Sequence, residues 1–339
     1  MIWADNMRFF AVLTVVVLHV AAGFVGGIEP GDELYGEINW WAGNIFDSIT
    51  RWCVPIFVMI SGYFLLNNKD DNLSFFKKRV NRIFIPLIFW SVIFSLWIIL
   101  RLAIKNDLES APSVIAKGFI LGKPYFHLWY LYMIPLLYAS TPFLKLILEK
   151  SSKKLSLIFI IAAFSISATN ILFNYALYLF GGAAKASLFV NSFLMYIGYF
   201  TLGGYIKKYD IKIKSSYLLL GLAVAWLITI LGSYFFTYKY FYNYLSLNTI
   251  TASILIFFLI MRFFTFDFLK STKKLAALSF GVYLIHPIFL DIVAYTMRDK
   301  SLEYMNAFLY IPIFSIIIFI ASLFVAYIMS KIVLLKNCI

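Results

Sequence analysis

Residues 5–24 read DNMRFFAVLTVVVLHVAAGF, and this stretch decides the fold class. A helix needs about 17–25 largely apolar residues to cross a bilayer, and this stretch is long enough. It nevertheless keeps an Asp and an Arg at its start and a His beyond its middle. Charged groups in hydrocarbon cost about 2.5–3.5 kcal/mol each on insertion scales, so those that persist are candidates for function.

The composition of the whole chain agrees with this first segment. Hydrophobic residues make up 63% of the 339 residues and charged residues only 13%, and the mean hydropathy is +0.88. Soluble domains carry about 25% charged residues, so the composition excludes a soluble globule and predicts an integral membrane protein. The two cysteines, Cys53 and Cys338, supply no disulfide framework. Residues 5–24 lack a basic leader and a small-residue cleavage site, which favours a retained span over a signal peptide.

Apolar runs recur along the chain at the length of membrane spans. We predict an all-α fold, a single bundle of about ten transmembrane helices, because only helices and closed barrels satisfy the backbone in lipid. The predicted spans are 7–27, 41–66, 83–104, 127–148, 155–180, 187–206, 215–236, 246–264, 275–297 and 306–334. No long polar segment separates them, so residues 1–339 form one membrane domain with no appended soluble domain.

The connections between spans alternate in charge. The first connection holds Glu29, Asp32, Glu33 and Glu37 and no Lys or Arg. The second, fourth, sixth and eighth connections are basic and, with both termini, hold about twenty of the 29 Lys and Arg residues. They contain Lys69, Lys77, Lys78, Arg79 and Arg82; Lys145, Lys150, Lys153 and Lys154; Lys207, Lys208, Lys212 and Lys214; and Arg262, Lys270, Lys273 and Lys274. Basic loops face the cytoplasm, so we expect both termini to be cytoplasmic.

The first span carries a column of polar side chains. Arg8 and His19 are eleven residues apart, close to three helical turns, so they share one face about 16 Å apart along the axis. Asp5 lies one turn before Arg8. This column suits a ligand with an anionic end at the rim and a reactive end deep in the bundle. The alternative is a structural histidine, with Asp5 as a helix cap.

Two further motifs place arginines in or beside spans. Arg51 lies inside the second apolar run, too deep to reach water easily, and Pro55 and Ser61-Gly62 predict a bent, closely packed helix there. Arg79 and Arg82 are one turn apart at the start of the third span, where two guanidinium groups can grip phosphate oxygens. Ordinary positive-inside charge explains the second pair equally well.

The remaining histidines stand among aromatic residues. His127 precedes Trp129 and Tyr130 in YFHLWYLYM, which we expect at the outer interface, where an aromatic platform beside an imidazole suits a sugar. In LSFGVYLIHP, Tyr283 and His286 continue a polar stripe that begins at Ser279, followed by a bend at Pro287. No pair of His, Cys, Asp or Glu has ligand spacing on one face, so no metal is expected.

These motifs together resemble the acyltransferase-3 family of integral-membrane O-acyltransferases, over the whole chain. The likeness within the family is to stand-alone members typified by the enterobacterial common antigen O-acetyltransferase. The residues that carry the resemblance are Asp5-x-x-Arg8 with His19, R-x-x-V-P-I-F-x-M-I-S-G-Y at 51–63, Arg79-x-x-Arg82, H-L-W-Y-L at 127–131 and G-V-Y-L-I-H-P at 281–287. Asn6-Met7 stand where the family has Gly-Leu, and Phe9-Phe10 replace smaller residues.

The resemblance implies a multi-pass enzyme of the bacterial inner membrane. It would move an acetyl group from cytoplasmic acetyl-CoA to a hydroxyl of a cell-surface glycan or a lipid-linked saccharide. It implies a catalytic role for His19 and donor handling by two pairs, Asp5 with Arg8 and Arg79 with Arg82. No nucleic acid is expected as a partner, succinyl or another acyl group remains an option, and the oligomeric state stays open, a homodimer included.

The mechanism that we expect joins these roles. The CoA phosphates would bind Arg8, Arg79 and Arg82, and His19 would act as general base on the acceptor hydroxyl; a transient acetyl-histidine is the alternative. The acceptor and the oxyanion would be held by Arg51, Ser61, His127, Trp129, Tyr130, Tyr283 and His286.

Two rival functions remain at this point. The first is a transporter or flippase for a glycan or a lipid-linked precursor, with Asp47 and Asp291 as the candidate carboxylates for proton coupling. The second is a structural partner of a glycan-assembly machine.

Overall fold

A computed structural model describes residues 1–68, 72–179, 192–267 and 272–339, and every regular element in these ranges is a helix. Lys69, Lys270 and the junction of the predicted fifth and sixth spans lie outside the described residues, as do the side chains of Lys77 and Lys78. The helices are α1 Ile2–Val25, α2 Ile38–Thr50, α3 Cys53–Leu65, α4 Asn72–Ile104, α5 Ala111–Ile120, α6 Trp129–Ala139, α7 Thr141–Lys150, α8 Lys153–Leu179, α9 Ser192–Met195, α10 Ile197–Tyr209, α11 Ser215–Phe235, α12 Tyr238–Phe241, α13 Leu247–Phe263, α14 Thr272–Thr296, α15 Arg298–Leu302 and α16 Ala307–Lys331. Two short 3₁₀ helices, Leu108–Ser110 and Lys336–Cys338, complete the set.

Each of the ten predicted spans coincides with helix in the described chain, but not all are long enough to cross a bilayer alone. Seven helical segments are long and apolar enough, and the pair α6–α7, bent by 49°, makes an eighth if it is counted as one span. The apolar helix α13 has only 17 residues and α10 only 13. A membrane-spanning helical bundle is therefore confirmed, whereas the number ten is not.

Three predicted spans are interrupted within the described residues, and a proline explains only one of the breaks. The run 41–66 divides at Arg51 and Trp52 into α2 and α3, and the run 187–206 divides at Tyr196 between α9 and α10. Pro55 lies in the first turn of α3, where a missing N–H leaves no bond unmade, so the predicted bend falls before the proline rather than at it. The break between α6 and α7 precedes Pro142, which has no N–H with which to continue the hydrogen bonds of α6.

Helix α1 lies at the centre of the bundle. It packs against α2, α3, α13, α14 and α16. Its neighbour α3 crosses α10 so closely that a Cβ on Gly62 would lie 1.7 Å from the carbonyl oxygen of Phe200. Glycine is thus required where these two backbones touch. This contact fixes α3, which carries one wall of the cavity described below.

Three helices that carry the site residues run in the same direction. Near their starts, residues of α1, α4 and α14 line one cavity. Near their ends, Arg101 of α4 contacts Asp291 of α14, and Arg298, just after α14, donates a hydrogen bond to the carbonyl of Gly23 at the end of α1. The bundle therefore has an arginine end and an Asp291 end, and the histidines lie between them.

Candidate functional site

A cavity of about 360 Å³ opens at the arginine end of the bundle. Its mouth is formed by three guanidinium groups that come from α1 and α4, those of Arg8, Arg79 and Arg82. We call it the arginine cavity. Sequence analysis assigned these three residues to one ligand, and the structure brings them to one cavity although Arg8 is some seventy residues away from the other two.

Three guanidinium groups gather at the mouth of the arginine cavity. Arg8 donates a hydrogen bond of 2.9 Å to Asp5, one turn earlier, and its guanidinium group lies 5.4 Å from the ring centre of Phe64. Asp5 in the first turn also interacts favourably with the helix dipole. Arg8 and Arg82 are close enough to repel each other. Such a mouth favours a multiply charged anion such as a phosphate group.

The inner part of the arginine cavity is lined by hydroxyl groups. Ser61 of α3, Tyr130 of α6 and Tyr283 of α14 all face it. The Ser61 hydroxyl donates to the carbonyl of Phe57 at 2.8 Å and lies 3.5 Å from the hydroxyl of Tyr138. The cavity thus passes from cations to neutral hydrogen-bonding groups as it deepens.

The three histidines of the chain meet beyond Tyr283. The rings of His19 and His286 stack with centroids 5.3 Å apart, and those of His127 and His286 pack edge to face at 5.7 Å. We call these three side chains the histidine cluster. Tyr283 joins it to the arginine cavity, since its ring lies 5.2 Å from that of His127 and it also lines the cavity wall.

Pro287 determines how His286 is held. A proline has no N–H, so the carbonyl of Tyr283 four residues earlier loses its helical partner. Nδ1 of His286 lies 2.8 Å from that carbonyl oxygen. A carbonyl only accepts, so Nδ1 carries the proton in the neutral ring and Nε2 is left with a lone pair. Nε2 has no hydrogen-bond partner among the described residues.

His127 is enclosed by protein on all sides. It precedes α6, is only 2% exposed, and its backbone carbonyl accepts a hydrogen bond from the Tyr283 hydroxyl. The imidazole is therefore buried inside the bundle, and its level at the outer interface stays a prediction. Aromatic neighbours mark interfaces and packed cores alike, and here Phe94 and Tyr125 enclose the imidazole.

His19 is the member of the histidine cluster that remains partly accessible. Its side chain is half-buried and forms no hydrogen bond with the described residues. The ring of Phe126 covers it at 4.9 Å, and Phe126 is itself 42% exposed. Val15, one turn before His19, lines the arginine cavity, whereas His19 does not. The imidazole thus lies just past the inner end of that cavity.

Arg51 is held beside the cluster by a buried ion pair. It donates from Nε and from a terminal nitrogen to the two carboxylate oxygens of Asp47, which is fully buried. Its guanidinium group lies over the rings of Tyr242 at 4.6 Å and Tyr244 at 5.8 Å. Its charge also acts on His19. The break between α2 and α3 thus places a fixed cation near the imidazole.

Trp129 belongs to the packing around Arg51 rather than to an outer platform. Its ring stacks on that of Tyr244 at 6.1 Å and tilts against that of Tyr196 at 5.7 Å. Tyr130, the next residue, faces the arginine cavity instead. Trp129 and Tyr130, although adjacent in α6, therefore lie in two different environments.

Several contacts and residues of the site escaped sequence analysis. Asp47 was considered only as the carboxylate of a carrier, although it precedes Arg51 by four residues, which is the spacing of a helical ion pair and a usable signal. Tyr242, Tyr244 and Phe126 lie in connecting segments of aromatic-rich sequence, where nothing local distinguishes them. Within the described ranges, no three His, Cys, Asp or Glu side chains are arranged to hold a metal ion.

The departures from the family pattern in the first motif have structural explanations. The Asn6 amide donates to the carbonyls of Phe264 and Phe266, both at 2.8 Å. Phe9 packs edge to face on Phe319 and Phe10 on Phe264. These side chains fasten α1 to neighbouring segments and do not line the arginine cavity.

Comparison with known proteins identifies one family. A model described as an acyltransferase domain matches residues 1–331, nearly the whole chain and every side chain of the site. No curated protein and no solved structure matches this sequence.

Proposed function

This chain belongs to the acyltransferase-3 family, whose domain model it matches from residue 1 to 331, and we propose that it is a membrane O-acetyltransferase that uses acetyl-CoA. The acceptor is a hydroxyl of a cell-surface glycan or of a lipid-linked saccharide, and the protein resides in the bacterial inner membrane. One observation carries the proposal. The three arginines line a cavity whose wall includes Val15, one turn before the partly accessible His19 on α1.

The arginine cavity is the proposed donor site. Arg8, Arg79 and Arg82 bind the phosphates of CoA, since guanidinium groups form bidentate, charge-assisted hydrogen bonds with phosphate oxygens. The pantetheine arm passes Ser61 and Tyr130 and brings the thioester toward His19. The separation of Arg8 and His19 on α1, about 16 Å, suits an extended arm of this length.

His19 is the proposed general base. It takes the proton from the acceptor hydroxyl while the oxygen attacks the thioester carbonyl carbon. The carbon–sulfur bond then breaks, and the leaving CoA thiolate receives the proton from the imidazolium. The guanidinium group of Arg51, beside His19, stabilises the oxyanion. The ring of His286 stacks on the ring of His19. The alternative, an acetyl-histidine intermediate, uses the same residues.

The carboxylates that a rival transporter would use are already held in ion pairs. A proton-coupled carrier needs a carboxylate that changes its protonation during transport. Of the two candidates, Asp47 is paired with Arg51 and Asp291 with Arg101. Both carboxylates thus have a structural partner within the described residues, which supports the enzyme over the carrier.

The test is release of CoA thiol from acetyl-CoA by purified protein in membranes of its own source. His19→Ala is expected to lower turnover by about 10²–10⁴-fold, the usual contribution of a general base. Thr14→Val is the matched control, because the Thr14 hydroxyl bonds only to carbonyls of its own helix. A folded His19→Ala protein with wild-type thiol release would refute the catalytic role of His19, whereas no thiol release by the wild type would favour the transporter or the structural partner.

The same assay tests the donor site. Arg82→Gln is expected to raise the KM for acetyl-CoA by about tenfold, since a charge-assisted hydrogen bond contributes about 1.5–3 kcal/mol. The KM for the acceptor should stay unchanged. An equal rise in both constants, or in neither, contradicts the assignment of Arg79 and Arg82 to the donor.

A further inference from the structure

A second cavity, of about 500 Å³, lies at the opposite end of the bundle from the arginine cavity. It is a groove between the last two turns of α4 and α14. Arg101 and Lys105 lie on its α4 side and Asp291 on its α14 side. We call it the Asp291 groove.

The walls of the Asp291 groove face the membrane. Leu100, Ile104, Ile292 and Tyr295 line it and are 49%, 55%, 41% and 72% exposed. They belong to helices that are long and apolar enough to span the bilayer. A ligand in this groove therefore has an apolar chain that lies among lipids.

Two cationic side chains lie at the end of the Asp291 groove where we expect the headgroup of a lipid. Lys105 is the first residue after α4, so it lies at the end of the span, and it forms no ion pair within the described residues. Arg101 hydrogen-bonds Asp291 at 3.1 Å but remains 41% exposed. The two positive charges of Lys105 and Arg101 outnumber the single carboxylate of the groove. The resulting net positive charge complements a phosphate at the level of the headgroups.

Asp291 offers a second kind of contact. One oxygen, Oδ2, accepts hydrogen bonds from Trp97 at 2.8 Å and Arg101 at 3.1 Å, and from the Tyr125 hydroxyl. The other oxygen, Oδ1, accepts none from the described residues, and the side chain is 19% exposed and lines the groove. An ionised carboxylate oxygen that is held in place and accessible suits the hydroxyl groups of a sugar.

The groove is also connected to the histidine cluster. Tyr125, which donates to Asp291, has its ring 6.0 Å from that of His127 and 5.1 Å from that of Phe126. Phe126 in turn covers His19. The groove and the arginine cavity thus approach the cluster from opposite ends.

We infer that the Asp291 groove binds the acceptor, as a lipid-anchored phosphosugar. Lys105 and Arg101 hold its phosphate, Asp291 accepts a hydrogen bond from a sugar hydroxyl, and the apolar walls hold its chain. That the ligand is the acceptor of the reaction rests on the proposed function. The class of the ligand, a lipid-anchored phosphosugar, is inferred from the groove itself.

Photo-crosslinking tests the ligand class. The probe is octadecyl phosphate with a diazirine in its chain, added to the purified protein in phosphatidylcholine nanodiscs. We expect labelled peptides from the ends of α4 and α14. Lys105→Gln should lower the labelling about tenfold, as expected for loss of a charge-assisted hydrogen bond to phosphate. Lys300→Gln is the matched control, because Lys300 is exposed beyond α14 and does not line the groove.

Two competitors separate the sources of binding. The diazirine-bearing alcohol without phosphate should label weakly, and inorganic phosphate should not displace the probe. Equal labelling by the alcohol would leave only a non-specific lipid surface, and displacement by inorganic phosphate would mean a site for free anions. Either result overturns the inference.

Acetyl transfer distinguishes this inference from the proposed function. Ala294→Trp fills the groove and should raise the KM for the acceptor while the KM for acetyl-CoA is unchanged. If the wild type releases thiol and the probe does not label the groove, the inference is wrong and the enzyme assignment stands. If the probe labels the groove and no thiol is released, the groove binds a lipid phosphate but not an acceptor.

Discussion

The chemistry of the candidate site depends on single atoms that neighbouring residues leave unpaired. Pro287 frees one carbonyl, His286 bonds it through Nδ1, and Nε2 is left as an acceptor. Asp47 takes both donors of one edge of Arg51, so that the cation is fixed while its other face meets two tyrosine rings. Each functional group is thus oriented by a residue with no contact to the proposed substrates.

Replacing Pro287 tests whether the orientation of His286 affects activity independently of stability. Pro287→Ala restores the N–H that bonds the carbonyl of Tyr283, so the helix is expected to gain up to about 3 kcal/mol. The same bond competes with Nδ1 of His286 and frees the ring to turn. We expect the melting temperature to rise while thiol release falls, by up to about 100-fold for a displaced group in an active site.

The control for this variant is Pro312→Ala, at a proline inside α16, a helix that supplies no side chain to the arginine cavity or the histidine cluster. It should change stability alone. A Pro287→Ala protein that keeps full activity would show that the orientation of His286 is irrelevant to turnover.

At the scale of elements, the site is assembled by three parallel helices on a rigid support. Helix α1 supplies Arg8 and His19, α4 supplies Arg79 and Arg82, and α14 supplies the tyrosine and histidine that join the two ends of the path. Helix α3 supports them and is itself fixed by its crossing with α10. In lipid such a crossing depends on close backbone packing, because burial of apolar surface contributes little between helices.

A methyl group at this crossing should therefore be costly. In Gly62→Ala the new Cβ would lie 1.7 Å from a backbone oxygen of Phe200, which cannot rotate away. Overpacking of this kind costs about 1–3 kcal/mol or more, so we expect the melting temperature in detergent to fall by at least about 2 °C.

Gly23→Ala is the matched control in α1. Its Cβ would lie 3.7 Å from the Arg298 side chain, an ordinary contact, and alanine favours the helix by about 1 kcal/mol. Its melting temperature should stay the same or rise. Equal stability of the two variants would mean that α3 and α10 are less closely packed than described.

At the scale of the molecule, the two cavities lie at opposite ends of one bundle. The arginine end of the bundle lies on the same side as the basic connections of the sequence. The Asp291 end, where α4 and α14 finish, lies on the side with few Lys and Arg residues. Under the positive-inside rule, we therefore expect the arginine cavity to open to the cytoplasm, where acetyl-CoA is found, and the Asp291 groove to open at the outer leaflet.

Cysteine labelling tests this orientation. Both native cysteines are buried, so the parent chain should react little with a membrane-impermeant maleimide. Glu33→Cys lies in the acidic first connection and Lys214→Cys in a basic one, and both positions are exposed. In intact cells only Glu33→Cys should be labelled, and after permeabilisation both should be. The reverse pattern would invert the proposed topology and place the arginine cavity on the wrong side for CoA.

Sequence alone determined the class of the protein and the positions of its helices. Apolar length is a local quantity and lipid permits few folds, so the helical bundle could be predicted. The bend between α6 and α7 and the short helices α10 and α13 reduced the number of full spans, because a helix buried among others need not cross the bilayer alone.

Only the tertiary structure decided which of these residues meet. His127 and His286 are 159 positions apart, and nothing in the local sequence around His127 indicated that it packs beside His286. The tyrosine rings beneath the Arg51 cation and the groove beside Asp291 likewise arise from contacts between distant segments. Local patterns indicate which faces of a helix are polar, but the partner of each face depends on how all the helices pack together.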